Sequence, residues 1–189
     1  AAALAGAAFL ARCEARWPEI QEALIGSSFA VAASLAVLLL AGDPHGGEHL
    51  NELLAGQILW VGPSQLAQIA AVYALLLGFW RLRGDRLGRM GFYLIFALAI
   101  TASVQLVGVY LVFASLILPA LTVRNRPPRA GLLIGWGLGA TAYAAGLAAS
   151  ALFDWPAGPA IVMALAVAAL LAGQLLRLPG RVDSASILH

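Results

Sequence analysis

Long apolar stretches separated by clusters of arginine are the feature that most constrains the fold of this chain. All eleven basic residues are arginines, and they fall in four clusters, within residues 12–16, 81–89, 124–129 and 177–181. Only 11% of the residues are charged, whereas soluble domains carry about 25%. Because cytoplasmic loops of membrane proteins collect Lys and Arg, the pattern predicts a multi-pass membrane protein with all four clusters inside.

Successive inside clusters must be joined by an even number of crossings, and a span needs about 17 to 25 residues. The predicted spans are 24–41, 64–79, two short helices within 90–123 that divide near 105–108, 130–150 and 159–176. All are predicted to be helices, because an open sheet would leave backbone groups unsatisfied in lipid. The sequence therefore predicts an all-α integral membrane protein, a polytopic transmembrane helix bundle with about six full spans plus a partial N-terminal one.

The same reasoning predicts one transmembrane domain over residues 1–189 with three extramembrane parts. These are an outer loop at 42–63 that contains a short re-entrant or interfacial helix, a cytoplasmic loop at 80–92 and a cytoplasmic tail at 177–189. The chain begins AAALAGAAFLAR, without a charged n-region, and is interpreted as a fragment that lacks its N-terminal spans. The basic residues do not alternate with aromatic ones, so no nucleic-acid partner is expected. The single cysteine, Cys13, excludes an intramolecular disulfide and a CxxC site.

Within the spans, small and polar residues indicate contacts between helices. Gly131, Gly135 and Gly139 recur at four-residue spacing and predict a close-packing face. Thr101, Ser103 and Gln105 are expected to form hydrogen bonds between helices, with a place in a translocation path as the alternative. Pro119 interrupts a helix and is a candidate kink.

The sequence DPHGGEH gathers two imidazoles and two carboxylates in seven residues on the predicted outer face. Its candidate metal-binding residues are Asp43, His45, Glu48 and His49. Neutral imidazole and carboxylate are suitable ligands for zinc or manganese. A solvated turn is the alternative, because Gly, Asp and Pro are also typical of turns.

Four stretches in order along the chain carry a family resemblance: EALIGSSFAVAASLAVLL, DPHGGEHLNELLAGQILWV, VQLVGVYLVFASLILPALTVR and FDWPAGPAIV. They resemble the permease subunits of bacterial zinc, manganese and iron ABC importers, the ABC-3 type. The resemblance implies a multi-pass protein of the bacterial inner membrane that is surrounded by membrane lipid and forms a permease homodimer. It also implies an extracytoplasmic metal-binding protein as donor and two cytoplasmic ABC ATPase subunits as the motor.

The chain departs from this family in the cytoplasmic loop WRLRGDRLGRMGF, which is shorter than the family's ATPase-docking segment. Arg83, Arg86 and Leu87 are the candidate contacts with the ATPase, and a plain topology-determining loop is the alternative. The family's metal-coordinating pore positions belong to the missing N-terminal part.

Enzyme motifs are absent from the sequence. It contains no GxxxxGK[ST], so ATP would be hydrolysed on a partner chain, and neither GxSxG nor HExxH occurs. Together with this absence, the resemblance implies a transport subunit that binds no cofactor of its own and translocates a divalent metal ion. The alternatives are a stand-alone secondary transporter or channel, which would need ionisable residues within the spans, and a non-transporting membrane scaffold.

Overall fold

The computed structural model describes residue 6 and residues 10–14, 18–41 and 62–177, apart from the side chains of residues 84–87, 176 and 177. Over these ranges the secondary structure is helical, without a strand. The helices are α1 (Gln21–Leu40), α2 (Pro63–Val107), α3 (Val109–Val123), α4 (Pro128–Phe153) and α5 (Ala157–Arg177), and a 3-10 helix (Pro18–Ile20) precedes α1. The prediction of an all-α helical bundle is confirmed.

Helix α2 is a hairpin rather than a single rod. Gly88 interrupts it with φ 59° and ψ −167°, a conformation that is essentially restricted to glycine. The Tyr73 hydroxyl donates a hydrogen bond to the carbonyl of Ala99 at 3.0 Å, and the rings of Trp80 and Phe92 meet edge to face at 5.8 Å. In each pair, one residue precedes Gly88 in the sequence and the other follows it. The two halves of α2 therefore pack antiparallel.

Within the described residues, five helical segments are long and apolar enough to cross a membrane: Pro18–Leu40, Pro63–Arg83, Gly88–Val107, Pro128–Phe153 and Ala157–Leu175. Helix α3 is shorter, with 15 residues, and extends about 22 Å at 1.5 Å per residue, less than the roughly 30 Å hydrocarbon core. The predicted count of about six spans thus corresponds to five long helices and one short one.

The predicted division of the uncharged stretch after Arg89 is confirmed at Gly108, which separates α2 from α3 with φ 83° and ψ 161°. Two short helices were expected there, but only α3 is short, because the second half of α2 starts at Gly88 and reaches Val107. Residues 80–92, predicted to be a loop, are helical apart from the interruption at Gly88. The side of the membrane on which they lie stays a prediction.

The core lies between α1, α3, α4 and α5. Its buried side chains come from all four helices and include Ala30, Leu111, Leu138, Ile161 and Leu165. The α2 hairpin contributes little: the apolar windows of its two halves are 0% and 6% buried, and α3 is its main neighbour. Its outer surface is accordingly suited to contact with lipid.

Glycine allows a close helix contact at Gly146, a position outside the predicted packing face. A Cβ atom added at Gly146 of α4 would lie 2.4 Å from the Cα of Ile161 in α5. By contrast, a Cβ at Gly131 would lie 3.6 Å from Val123, and one at Gly139 would meet no atom within 4 Å. Only part of the predicted face is therefore in contact with a neighbouring helix in this chain.

Candidate translocation path

Two clefts lie along α3, one on each side of its midpoint. The α3–α4 cleft has a volume of about 470 Å³ and runs from Ser115 and Tyr143 to Val123 and Arg126 at the C-terminal end of α3. Its remaining wall includes the three spaced glycines of α4. This cleft therefore opens towards the end of the bundle at which α3 finishes.

The α2–α3 cleft has a volume of about 380 Å³ and lies between the second half of α2 and the first half of α3. Its lining on α2 runs from Phe96 to Val107, next to the break at Gly108, and it also includes Ser115 and Tyr143. The two clefts therefore lie on different faces of α3, one against α4 and the other against α2.

Ser115 and Tyr143 border both clefts. Their hydroxyl oxygens lie 2.8 Å apart, and the Ser115 hydroxyl also donates to the carbonyl of Leu111 at 2.6 Å. A hydroxyl has one proton to donate, so the Tyr143 hydroxyl must be the donor to Ser115. The two side chains form a hydrogen-bonded partition between the clefts.

A second hydroxyl pair lines the α2–α3 cleft. Tyr73 and Ser103, on opposite halves of α2, are hydrogen-bonded to each other. The interpretation of Ser103 as a residue that bonds across helices is thus confirmed. Thr101 instead donates to the carbonyl of Ala97 in its own helix at 2.8 Å, and Gln105 is exposed.

Charge is confined to the ends of the described helices. Between residues 23–40, 64–80, 90–123, 130–153 and 157–176 there is no Asp, Glu, His, Lys or Arg. Consistently, no group of three or more potential metal-binding His, Cys, Asp or Glu occurs in the described part of the chain. Hydroxyls are therefore the main polar groups of the two clefts.

The predicted site residues fall in different regions. The four candidate metal ligands, Asp43, His45, Glu48 and His49, lie outside the described residues. Of the candidate ATPase contacts, Arg83 is exposed at the end of the first half of α2, and the side chains of Arg86 and Leu87 are outside the description.

Pro119 lies inside α3 and borders the α3–α4 cleft. Its ring faces Gly135, where an added Cβ would lie 3.9 Å from the Cβ of Pro119. A proline has no N–H, so the helical hydrogen bond that residue 119 would donate to the carbonyl of Ser115 is missing. The missing hydrogen bond therefore falls at Ser115, which borders both clefts.

Comparison with known families covers this part of the molecule. Residues 83–175 match the model of the ABC 3 transport family. The match begins just before the turn of the α2 hairpin and continues to the end of α5, so it includes most residues of both clefts. No solved structure matches the chain. This part of the chain is therefore similar to the ABC 3 transport family, in agreement with the resemblance seen in the sequence.

Several residues of this path were missed by sequence reasoning. These are Tyr73, Ser115 and Tyr143. Nothing in the spacing along the chain shows that Tyr73 meets Ser103 or that Ser115 meets Tyr143. The available signal was a hydroxyl within an otherwise uncharged span, since polar groups in lipid usually find a partner. Which partner is found depends on how each helix is rotated, and the sequence alone does not give that rotation.

Proposed function

We propose that this chain is the permease subunit of an ABC importer that moves a divalent transition metal ion, zinc, manganese or iron, across the bacterial inner membrane. The observation that carries the proposal is the ABC 3 transport family match over residues 83–175. The two clefts that both border Ser115 and Tyr143 support transport, since a translocation path needs space between the helices.

The proposed complex has three kinds of component. Two cytoplasmic ATPase subunits supply the energy, an extracytoplasmic binding protein delivers the metal, and two copies of the permease form the membrane part. The turn of the α2 hairpin, with Arg83, Arg86 and Leu87, is the proposed contact with the ATPase. An exposed arginine is well suited to bind a carboxylate on a partner, because its guanidinium forms two parallel hydrogen bonds.

For the metal itself, the proposed first contact is the sequence DPHGGEH. His45 and His49 provide imidazole nitrogen, and Asp43 and Glu48 provide carboxylate oxygen, both of which bind zinc and manganese. On the predicted outer side, these groups would receive the ion from the donor protein. The proposal for these four residues rests on their chemistry.

A secondary transporter is less well supported than an ABC permease. Ion-coupled transporters place ionisable residues within the membrane, where they carry protons or bind the coupling ion. The interiors of the described helices contain no Asp, Glu, His, Lys or Arg. A non-transporting scaffold is favoured only by the short segment between residues 80 and 92.

The decisive experiment is to purify the complete permease from native membranes in mild detergent, identify its partners and reconstitute the complex in liposomes. We expect a P-loop ATPase to co-purify, and uptake of radioactive zinc or manganese to require ATP and the donor protein. Metal uptake without ATP would favour a secondary transporter. If no ATPase co-purifies and no metal is taken up, the result would favour the scaffold.

The outer metal site is tested in the same liposomes with the double variant His45→Ala, His49→Ala. We expect a lower uptake at limiting zinc and a return towards the wild-type rate at high zinc, because the substitution weakens capture of the ion. Asn51→Ala, which changes a neutral residue of the same segment, is the matched control. Unchanged uptake at all zinc concentrations would contradict the assignment.

A further inference from the structure

We propose that the α3–α4 cleft binds an anionic phospholipid, with the lipid phosphate at the arginines of the turn between α3 and α4 and one acyl chain in the cleft. The turn comprises residues 124–129 and contains Arg124, Arg126 and Arg129 but no Asp or Glu. The inference goes beyond the proposed function and does not rest on it, because it concerns what the bundle binds from the bilayer rather than what it transports.

The wall of the cleft suits a hydrocarbon chain. Its α3 side is formed mainly by Pro119, Ala120 and Val123, and its α4 side by glycines together with Leu132 and Trp136. The described wall is apolar except for one arginine at one end and two hydroxyls at the other. Because an acyl chain has no hydrogen-bonding group, it can fill the middle of the cleft without leaving a polar atom of its own unpaired.

The cleft is open at the surface of the bundle. Leu132 and Trp136 border it and are 60% and 76% exposed, so in a membrane this side meets lipid unless another chain covers it. Between Gly131 and Gly139 the cleft follows α4 for about 12 Å. An unfilled groove of that length would forfeit the dispersion contacts of the atoms that line it. An acyl chain from the bilayer restores these contacts.

The charge at the end of the cleft is complementary to a lipid phosphate. Arg126 lines that end, and Arg124 and Arg129 are exposed in the same turn. The turn joins two apolar helices and therefore lies at the membrane surface, where the lipid head groups are. A guanidinium binds phosphate through two parallel hydrogen bonds, and basic pockets between membrane helices bind anionic head groups. An anionic lipid thus meets a matching charge and a matching apolar groove at once.

A second copy of the chain fits this surface less well than a lipid does. In a two-fold dimer the same surface of both subunits meets, so an axis along the membrane normal would bring the two 124–129 turns together. Each turn carries three positive charges, and like charges repel. A lipid phosphate instead neutralises part of this charge, so the occupant of the cleft is a lipid.

A lipid at this position is compatible with a translocation path between the helices. Ser115 and Tyr143 lie at the opposite end of the cleft from Arg126 and are half-buried. An acyl chain at the open rim separates these hydroxyls from the bilayer, so the space next to them is not open sideways to the membrane.

The test maps the lipid contacts of the complete permease with its partners in bilayers of phosphatidylcholine. One sample contains a trace of phosphatidylglycerol with a diazirine in its acyl chain, and the other a trace of phosphatidylcholine with the same chain. After irradiation, mass spectrometry gives the yield of lipid adducts on residues 130–136, divided by the yield on the exposed Leu75 of α2. We expect this ratio to be at least about fivefold higher for phosphatidylglycerol, the preference that one arginine at a membrane surface gives.

Two pairs of variants test the phosphate and the acyl chain separately. Arg126→Gln should lower the preference for phosphatidylglycerol about fivefold, whereas Arg83→Gln, at the end of the first half of α2, should leave it unchanged. Gly135→Leu fills the cleft and should reduce the adducts of both lipids on residues 130–136. Gly137→Leu is its control, because Gly137 is exposed on the same helix and does not line the cleft. Unchanged adducts in Gly135→Leu would place the chain elsewhere and contradict the site.

An equal adduct ratio for the two lipids in wild type overturns the proposal, and so does a preference that survives Arg126→Gln. If residues 130–136 take up neither lipid while Leu75 is labelled, a second copy or another helix covers the cleft, which also overturns it. The double variant Arg124→Gln, Arg129→Gln replaces Arg126→Gln if that protein does not fold, and Gly139→Leu replaces Gly135→Leu. The labelling needs neither metal nor ATP, so its result is independent of the uptake assay.

Discussion

The close contact of α4 and α5 at Gly146 predicts a large effect for the smallest possible substitution. In Gly146→Ala the new Cβ would lie 2.4 Å from the Cα of Ile161 and 2.8 Å from its backbone nitrogen. Carbon atoms at rest are about 3.5–4.0 Å apart, so the contact is too short by roughly 1.1–1.6 Å. The atoms of Ile161 that are met belong to the backbone and cannot rotate away, so the two helices must separate by about 1 Å.

Overpacking of this kind costs typically 1–3 kcal/mol, and we expect the upper end because the backbone must move. Alanine regains about 1 kcal/mol relative to glycine through helix propensity. The expected net loss in the free energy of unfolding is about 2 kcal/mol. Gly137→Ala is the matched control on the same helix: its Cβ would meet no atom within 4 Å, and we expect a gain of up to about 1 kcal/mol.

Both variants are compared with wild type in mixed micelles by titration with sodium dodecyl sulfate, with helix content followed by circular dichroism. We expect the detergent concentration at the unfolding midpoint to be clearly lower for Gly146→Ala than for wild type. For Gly137→Ala it should equal or exceed the wild-type value. If Gly146→Ala proves as stable as Gly137→Ala, the close contact between α4 and α5 does not exist in the protein.

Three further predictions use the same unfolding assay or the purified complex. Ser34→Ala should stabilise the protein by about 1–3 kcal/mol, because the buried Ser34 hydroxyl has no hydrogen-bond partner among the described residues. The control is Ser27→Ala, which removes a hydroxyl that bonds to the carbonyl of Leu24 at 3.1 Å. A loss of stability in Ser34→Ala as large as that in Ser27→Ala would contradict the prediction. Gly108→Ala should cost about 1–3 kcal/mol because of its φ of 83°, and a neutral result would show that the α2–α3 break has another geometry. Arg83→Ala should reduce the amount of co-purified ATPase, and an equal reduction in Arg129→Ala would assign the effect to general loss of charge.

The helices themselves could be predicted because a membrane span is a property of one continuous stretch. The uncharged segment after Arg89 is too long for one comfortable helix, and the requirement for an even number of crossings placed its division near Gly108, where it lies. The turn of the α2 hairpin was harder to predict. Arginines and glycines at residues 81–89 are typical of a loop, yet one glycine with positive φ is enough to reverse the chain while its neighbours stay helical.

The contacts between helices could be predicted only in part. Four-residue spacing indicates a face at Gly131, Gly135 and Gly139, whereas an added Cβ meets a neighbouring helix much more closely at Gly146. Spacing identifies a face of small residues, but the crossing point depends on the partner helix, here at Ile161. The same limit applies to the meeting of Ser115 and Tyr143, which requires the relative rotation of α3 and α4.

The sparse burial of the α2 hairpin has a consequence for biogenesis. The hairpin leaves the ribosome before α3, yet α3 is its main neighbour in the finished bundle. Until α3 is inserted, the two halves of the hairpin contact chiefly each other, through the hydrogen bonds of Tyr73 and the edge-to-face contact of Trp80 with Phe92. The order of synthesis therefore gives the internal polar contact of the hairpin the task of holding its two halves together in lipid until the rest of the bundle is inserted.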